Sequence, residues 1–165
     1  MKTRTQHLKK LFTVLSLLFA VSGCASYPEN PMRAVTNVDI DRFMGDWYVI
    51  ANIPTFIEKG ATNPIENYQR DEDGNIATTF TFEKNGRQKT MTMTAFVHEA
   101  PDNGIWDMQF VWPFRADYRI IYLDADYQTT IIGRNKRDYL WIMSRASPRD
   151  REAVSTAGSG CGTRL

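Results

Sequence analysis

Hydrophobic and polar residues alternate along seven stretches of this chain, and turn-forming residues separate each stretch from the next. A period of two is typical of β-strands that bury one face. The connecting turns are short, and Asn85-Gly86 is the strongest signal for a tight hairpin among them. The seven predicted strands are residues 65–70, 76–83, 88–99, 105–112, 116–123, 127–134 and 139–145.

An eighth predicted strand precedes these seven and follows a short helical turn. Asp39 is placed to cap that turn, and Gly45 ends it at little steric cost. From Trp47 the pattern becomes extended, with Val49 and Ala51 on the same face as the indole. Short turns leave no room for crossover helices, so we predict an all-β, eight-stranded antiparallel up-and-down barrel with a short N-terminal 3-10 helical lid.

One face of the predicted strands is bulky and apolar, whereas the opposite face carries threonines together with residues such as Gln109 and Arg119. An apolar inner face is what any small barrel needs for its core. An eight-stranded barrel is also just wide enough to hold one small ligand. Composition alone leaves both a filled core and a cavity open. The predicted inner face comprises Thr78, Phe80, Phe82, Met91, Met93, Ala95, Val97, Trp106, Met108, Phe110, Tyr118, Ile120, Tyr122, Tyr139, Trp141 and Met143.

Residues 1–23 have the pattern of a targeting segment. Four basic residues precede an apolar run at 11–20, which is too short to span a bilayer comfortably. Small residues then lead into Cys24, and this ending resembles the bacterial lipoprotein signal, in which the cysteine is lipidated and becomes the new N-terminus. Residue 25 is alanine, not aspartate, which by the same resemblance predicts an outer-membrane anchor with the domain facing the periplasm.

Net charge bears on the possible partners of this protein, and cysteine content bears on its possible disulfides. Residues 1–23 hold four of the 20 basic residues and none of the 19 acidic ones, so the remainder has a net charge of −3. This mild acidity argues against a nucleic-acid partner, because phosphate binding needs clustered Lys and Arg. Cys161 is the only other cysteine, so lipidation of Cys24 would leave no intrachain disulfide.

Three ordered blocks of sequence resemble the lipocalins, and within them the bacterial outer-membrane lipoprotein type related to apolipoprotein D. The first is Gly45-Asp46-Trp47-Tyr48-Val49-Ile50-Ala51. The second is Trp112-Pro113-Phe114 with the stretch 117–124, and the third is 138–145. The resemblance implies a calyx that is open at one end and closed at the other, where Arg145 packs over Trp47 beside Gly45.

The resemblance also implies a function, namely binding of a fatty acid, a lysophospholipid or a similar hydrophobic molecule for envelope maintenance. No cofactor and no metal are expected. Whether two barrels pair as a homodimer is left open. The candidate ligand-binding residues are Val49, Phe80, Met93, Met108, Phe110, Ile120 and Trp141.

The domain organisation follows from these elements. We expect a signal peptide at 1–23, a lipidated N-terminus and extended tether at 24–36, the barrel at 37–147 and an atypical short tail at 148–165. The tail lacks the helix of several turns that the resemblance would place after the barrel, and it reads as truncated or frame-shifted. A long loop at 53–64, with apolar Phe56 and Ile57, fits either a binding loop or an ordinary surface loop.

Catalytic chemistry is not predicted. His98 is the only histidine after residue 23, and no nucleophile set, metal cluster or phosphate-binding loop can be assembled around it. We therefore predict a binding protein that is not an enzyme. The alternative from another class is an envelope interaction protein with a packed barrel that acts through its loops.

Overall fold

The computed structural model describes residues 30–55 and 58–150. The predicted signal segment, Cys24, Phe56, Ile57 and the chain beyond 150 lie outside the described residues. Within them, no helix has the length and apolar character needed to span a bilayer. The elements are α1 (Ile40–Phe43), β1 (Gly45–Ile53), β2 (Thr62–Arg70), β3 (Ile76–Lys84), β4 (Arg87–Val97), β5 (Ile105–Val111), β6 (Phe114–Leu123), β7 (Thr129–Gly133) and β8 (Leu140–Ser144).

The eight strands form one closed antiparallel barrel in sequence order, which confirms the predicted fold. Closure occurs where β1 pairs with β8, with Tyr48 opposite Ser144. The β3–β4 hairpin turns at Asn85 and Gly86, both with positive φ, as a two-residue hairpin turn requires. Every strand therefore has two hydrogen-bonded neighbours, and no sheet edge is left exposed.

Bulges change the facing of two residues, Ala51 and Tyr122, relative to the faces that alternation assigns to them. The β1–β8 register shifts between Val49 and Ala51, and the β6–β7 register shifts between Ile120 and Tyr122. An extra residue in one strand reverses the alternation beyond it. Ala51 is consequently exposed, and the Tyr122 side chain is 47% exposed. The placement of Ala51 on the same face as Trp47 and the inward assignment of Tyr122 were wrong for this reason.

The predicted lid is present as α1, a single turn. The Phe43 N–H donates to the Asp39 carbonyl over 3.1 Å, an α-type bond, and the Met44 N–H donates to the Asp41 carbonyl in a 3-10-type bond. The Asp39 carboxylate accepts from the Arg42 N–H and caps the turn, as predicted. Phe43 is fully buried and packs 5.0 Å from the Trp47 ring.

Arg145 fastens this turn over the end of the barrel. Its guanidinium carbon lies 4.0 Å from the centroid of the Trp47 ring. Nη1 donates to the Asp46 carbonyl, and Nη2 lies within 3.0 Å of the three carbonyls of residues 42–44. A planar guanidinium offers both a face for the indole and several N–H groups for these carbonyls, which a lysine could not do. We call this arrangement the closed end.

The chain before α1 covers the outside of β6. The Val35 N–H donates to the Ile120 carbonyl over 2.7 Å, and Gly104 lies so close that an added Cβ would meet the Val35 carbonyl oxygen at 2.1 Å. Arg119 points outward yet is buried beneath this segment, where it donates to Asp117 and to the Met32 carbonyl. The polar outer face is therefore not wholly solvated.

We expect Arg145→Ala to lower the free energy of unfolding by roughly 2–4 kcal/mol, because it removes a cation–π contact and leaves several carbonyls without their donor. Urea denaturation of the wild type and the variant measures this difference. Arg70→Ala is the matched control, since Arg70 makes an exposed ion pair with Asp41 that is worth about 1 kcal/mol or less. Equal losses in the two variants would contradict the structural role of Arg145.

Candidate functional site

A cavity of about 470 Å³ lies in the half of the barrel opposite the closed end. The cavity extends to the end of the barrel at which β5 connects to β6. We call this end the mouth. Methionine and aromatic side chains form most of its wall, and they suit irregular apolar ligands because thioethers are flexible and polarizable. The lining residues are Thr55, Glu58, Glu66, Phe80, Met91, Thr92, Met93, Met108, Phe110, Val111, Ala116, Asp117, Arg134, Tyr139 and Trp141.

Five of the seven candidate ligand-binding residues line this cavity, namely Phe80, Met93, Met108, Phe110 and Trp141. The remaining two, Val49 and Ile120, are buried in the core and are not among the lining residues. Both lie just before a bulge, where the strand turns its following residues away from the interior. A face assigned by alternation alone does not distinguish core from cavity wall.

Aromatic rings fill the barrel between the closed end and the cavity. Trp106 stacks on Tyr118 at 5.3 Å between centroids and meets Tyr68 edge-on at 5.5 Å. Phe43 packs against Trp106 from below, at 5.4 Å. All four rings are buried, and we call the layer that they form the floor of the cavity.

The floor carries a buried hydrogen-bonded chain of three polar groups. The Tyr68 hydroxyl donates to Glu66 Oε2 and lies 2.5 Å from the Tyr118 hydroxyl oxygen. Because a phenol has one proton and Tyr68 gives its proton to the carboxylate, Tyr118 is the donor in the second contact. Burial, as the largest effect, raises the pKa of both phenols well above 10, so both remain donors at neutral pH.

Glu66 was not among the candidates from sequence. In residues 65–68, each face of the strand holds one apolar and one polar residue, so alternation does not show which face is buried. The cross-strand register shows that Glu66 and Tyr68 face inward, because Glu66 pairs with Phe80 and Tyr68 pairs with Thr78 on the inner face of β3. A predicted pairing of β2 with β3 would have been the signal that identified it.

The pKa of the Glu66 carboxyl is raised from 4.5 to about 7. Burial is the largest cause, the hydrogen bond from Tyr68 lowers the pKa, and the nearby Glu58 carboxylate makes a smaller contribution that raises it. A buried carboxylate loses the water that stabilises its charge, and no cation is paired with it among the described residues. The group therefore changes between its neutral and charged forms near neutral pH.

A short turn after β1 holds a second carboxylate against the wall. Glu58 Oε2 accepts from the Thr55 N–H over 2.7 Å, and Oε1 accepts from the Trp141 Nε1–H over 2.8 Å. Both oxygens of Glu58 are thus engaged by the protein. The Trp141 indole is fixed in the wall by this bond, with its ring available to the cavity.

Arg134 lies after the last residue of β7 and is the only cation among the described lining residues. Its Nη1 is 3.6 Å from Asp138 Oδ2, and its guanidinium lies 5.1 Å from the Tyr139 ring. The buried Nε has no hydrogen-bond partner in the described part of the protein. An anionic group at the mouth would satisfy this donor.

The hairpin between β5 and β6 exposes apolar side chains at the rim. Trp112 is 80% exposed, and Val111 and Phe114 are similarly open. Phe110, which is half exposed, joins this rim to the cavity wall. The mouth therefore offers apolar surface continuous with the interior.

Among residues 30–55 and 58–150, no group of three or more His, Cys, Asp or Glu is arranged to hold a metal ion. His98 lies 3.5 Å from Asp107, and both side chains are partly exposed. Neither residue lines the cavity.

A family model described as a lipocalin-like domain matches residues 38–159. Temperature-induced lipocalin-1 of Arabidopsis thaliana is 30% identical over 130 residues, covering 73% of this chain and 70% of that protein. Outer membrane lipoprotein Blc of Escherichia coli K12 is 30% identical over 141 residues, covering 84% of this chain and 80% of that protein. Insecticyanin from Manduca sexta shares the fold, with a TM-score of 0.58 at 18% identity over 81% of this chain and 80% of that one.

We expect the free energy of unfolding of the wild type to fall by about 3 kcal/mol between pH 4.5 and about 7, relative to Glu66→Gln. In that range the folded state keeps a proton on Glu66 that the unfolded state has released, so stability decreases as pH rises. Below pH 4.5 both states are protonated and the group contributes nothing. Urea denaturation across this range measures the difference, with exposed Glu72→Gln as control. Parallel profiles for wild type and Glu66→Gln would rule out the raised pKa.

Proposed function

This chain belongs to the lipocalin-like family, whose members bind small hydrophobic ligands, and from that premise we propose that its cavity holds one fatty acid or lysophospholipid chain. The observation that carries the proposal is the apolar cavity of about 470 Å³ above the aromatic floor. That volume falls within the range of about 300–1,000 Å³ typical of small-molecule sites. Binding without chemical turnover is what these residues support.

The energy of burying one acyl chain is sufficient. Removing ~300 Å² of apolar chain from water contributes on the order of 7 kcal/mol before ordering costs, which is in the range of micromolar affinity. The wall residues Met93 and Met108 adjust to the chain, and Phe80 and Trp141 supply flat contact area.

The polar groups favour one orientation of the ligand. Arg134 is the lining cation, and its unpaired Nε suits a carboxylate or phosphate head group at the mouth. The floor carries Glu66, which repels an anion when it is charged. We therefore propose that the chain enters first and that the acidic head group stays beside Arg134.

The proposed setting is the bacterial outer membrane, with a lipid anchor on Cys24 and the domain facing the periplasm. Support comes from the sequence pattern around Cys24 and from the similarity to a protein named outer membrane lipoprotein. Anchoring near a bilayer would bring the mouth close to its source of acyl chains. The cavity argues against the alternative of a packed barrel that acts only through its loops.

We expect titration with oleate or a lysophospholipid to change tryptophan fluorescence saturably, because Trp141 lines the cavity. The change should be lost in Trp141→Phe and kept in Trp112→Phe, since Trp112 lies on the exposed rim. A saturable change that survives in Trp141→Phe but disappears in Trp112→Phe would place the ligand outside the cavity.

A larger side chain at Ala116 should block binding while leaving the barrel folded. Ala116 lines the cavity, so Ala116→Trp fills part of it and should weaken oleate binding by at least about tenfold, or roughly 1.4 kcal/mol. Ala77→Trp is the matched control, because Ala77 is exposed on the outer face of β3. Isothermal titration calorimetry on proteins with native circular dichroism provides the comparison, and unchanged affinity in Ala116→Trp would refute the site.

A further inference from the structure

We propose that Glu66 selects ligands whose inserted end carries a hydroxyl group, as in an ω-hydroxy fatty acid, over ligands that end in a methyl group. This inference rests on the proposed function, because it concerns what the floor of the same cavity accepts. Affinity would then depend on a polar group at the inserted end of the ligand as well as on the apolar surface of its chain.

In the Glu66 carboxyl group, one oxygen is engaged by the protein and the other is not. The residue is 7% exposed and lines the cavity, so its remaining open surface faces the ligand space. Oε2 accepts the Tyr68 hydroxyl. Oε1 has no hydrogen bond from any described residue and is therefore free to take a ligand group. Oε1 is not one of the fully buried atoms that lack a partner, so it is open to the cavity, and a ligand that fills the cavity must either bond to it or bury it without a partner.

None of the described polar groups on the floor donates to Oε1, and the buried Thr78 hydroxyl opposite Tyr68 has no hydrogen-bond partner among the described residues. The hydroxyls of Tyr68 and Tyr118 are committed to the chain that ends on Oε2. Both oxygens of Glu58 accept bonds from Thr55 and Trp141, and a carboxylate would in any case supply no donor when charged.

A hydroxyl group on the ligand suits both protonation states of Glu66. Because its pKa is raised to about 7, Glu66 is present in both forms at neutral pH. The charged carboxylate of Glu66 needs a hydrogen-bond donor, and the neutral carboxylic acid provides one. A ligand hydroxyl can donate to the carboxylate and accept from the carboxylic acid. A ligand carboxylate, carbonyl or ammonium group can form a hydrogen bond with at most one of these two states.

A plain alkyl chain fits this floor poorly. A methyl terminus would displace water from Oε1 and give it no hydrogen bond in return, which is unfavourable for a buried polar group. In a variant without Glu66, a methyl-terminated chain should bind more tightly than a hydroxyl-terminated one, because the inserted hydroxyl would then be buried without a hydrogen-bond partner.

The test compares hexadecanoate with 16-hydroxyhexadecanoate, which have the same chain length and the same head group. Calorimetric titration of the full barrel should give about tenfold tighter binding of the hydroxylated acid, a difference of 1.4 kcal/mol. Glu66→Leu should bind hexadecanoate more tightly than its hydroxylated form. Glu66→Gln keeps an amide at the floor and should retain the wild-type order, and exposed Glu72→Leu should not change it.

Equal affinity of the wild type for the two acids, or tighter binding of hexadecanoate, would overturn the inference and leave the proposed function intact. Failure of the folded wild type to bind either acid would overturn the proposed function as well. The wild-type comparison is decisive by itself, so the test holds even if Glu66→Leu does not fold.

Discussion

The contact between Arg145 and Trp47 holds the closed end of this barrel together. It ties the last barrel strand to the first strand and to the turn α1, and it seals one end with a cation–π contact and several carbonyl acceptors. Beneath the seal, Phe43, Trp106 and Tyr68 pack as a solid aromatic layer. Because one end is stabilised in this way, the other half of the barrel can remain hollow.

Most of the fold could be predicted from the sequence, because strands with one buried face repeat every two residues and their turns carry distinctive residues such as Asn85-Gly86. The bulges after Val49 and Ile120 could not be predicted. A bulge depends on how two paired strands share their hydrogen bonds, and a single strand's pattern does not contain that information. The placement of Ala51 on the face of Trp47 and the inward assignment of Tyr122 were wrong for this reason.

The apolar wall was largely predictable, whereas the polar floor was not. Phe80, Met93, Met108 and Trp141 follow from alternation and from their place in long strands. Glu66 looks like an ordinary surface residue in the sequence, since glutamate is seldom buried. Its burial follows from the β2–β3 register, which sets it opposite Phe80. The cavity thus combines an apolar wall with a carboxyl group whose charge depends on pH near neutrality.

A crystal structure of the protein soaked with a fatty acid brominated near its chain terminus would show whether the barrel binds an acyl chain, since anomalous scattering locates the bromine. We expect one bromine inside the barrel, above the aromatic floor and between Met108 and Trp141, with the carboxylate near Arg134. A bromine found only on the outer surface of a barrel whose interior is filled by its own side chains would contradict binding in the cavity.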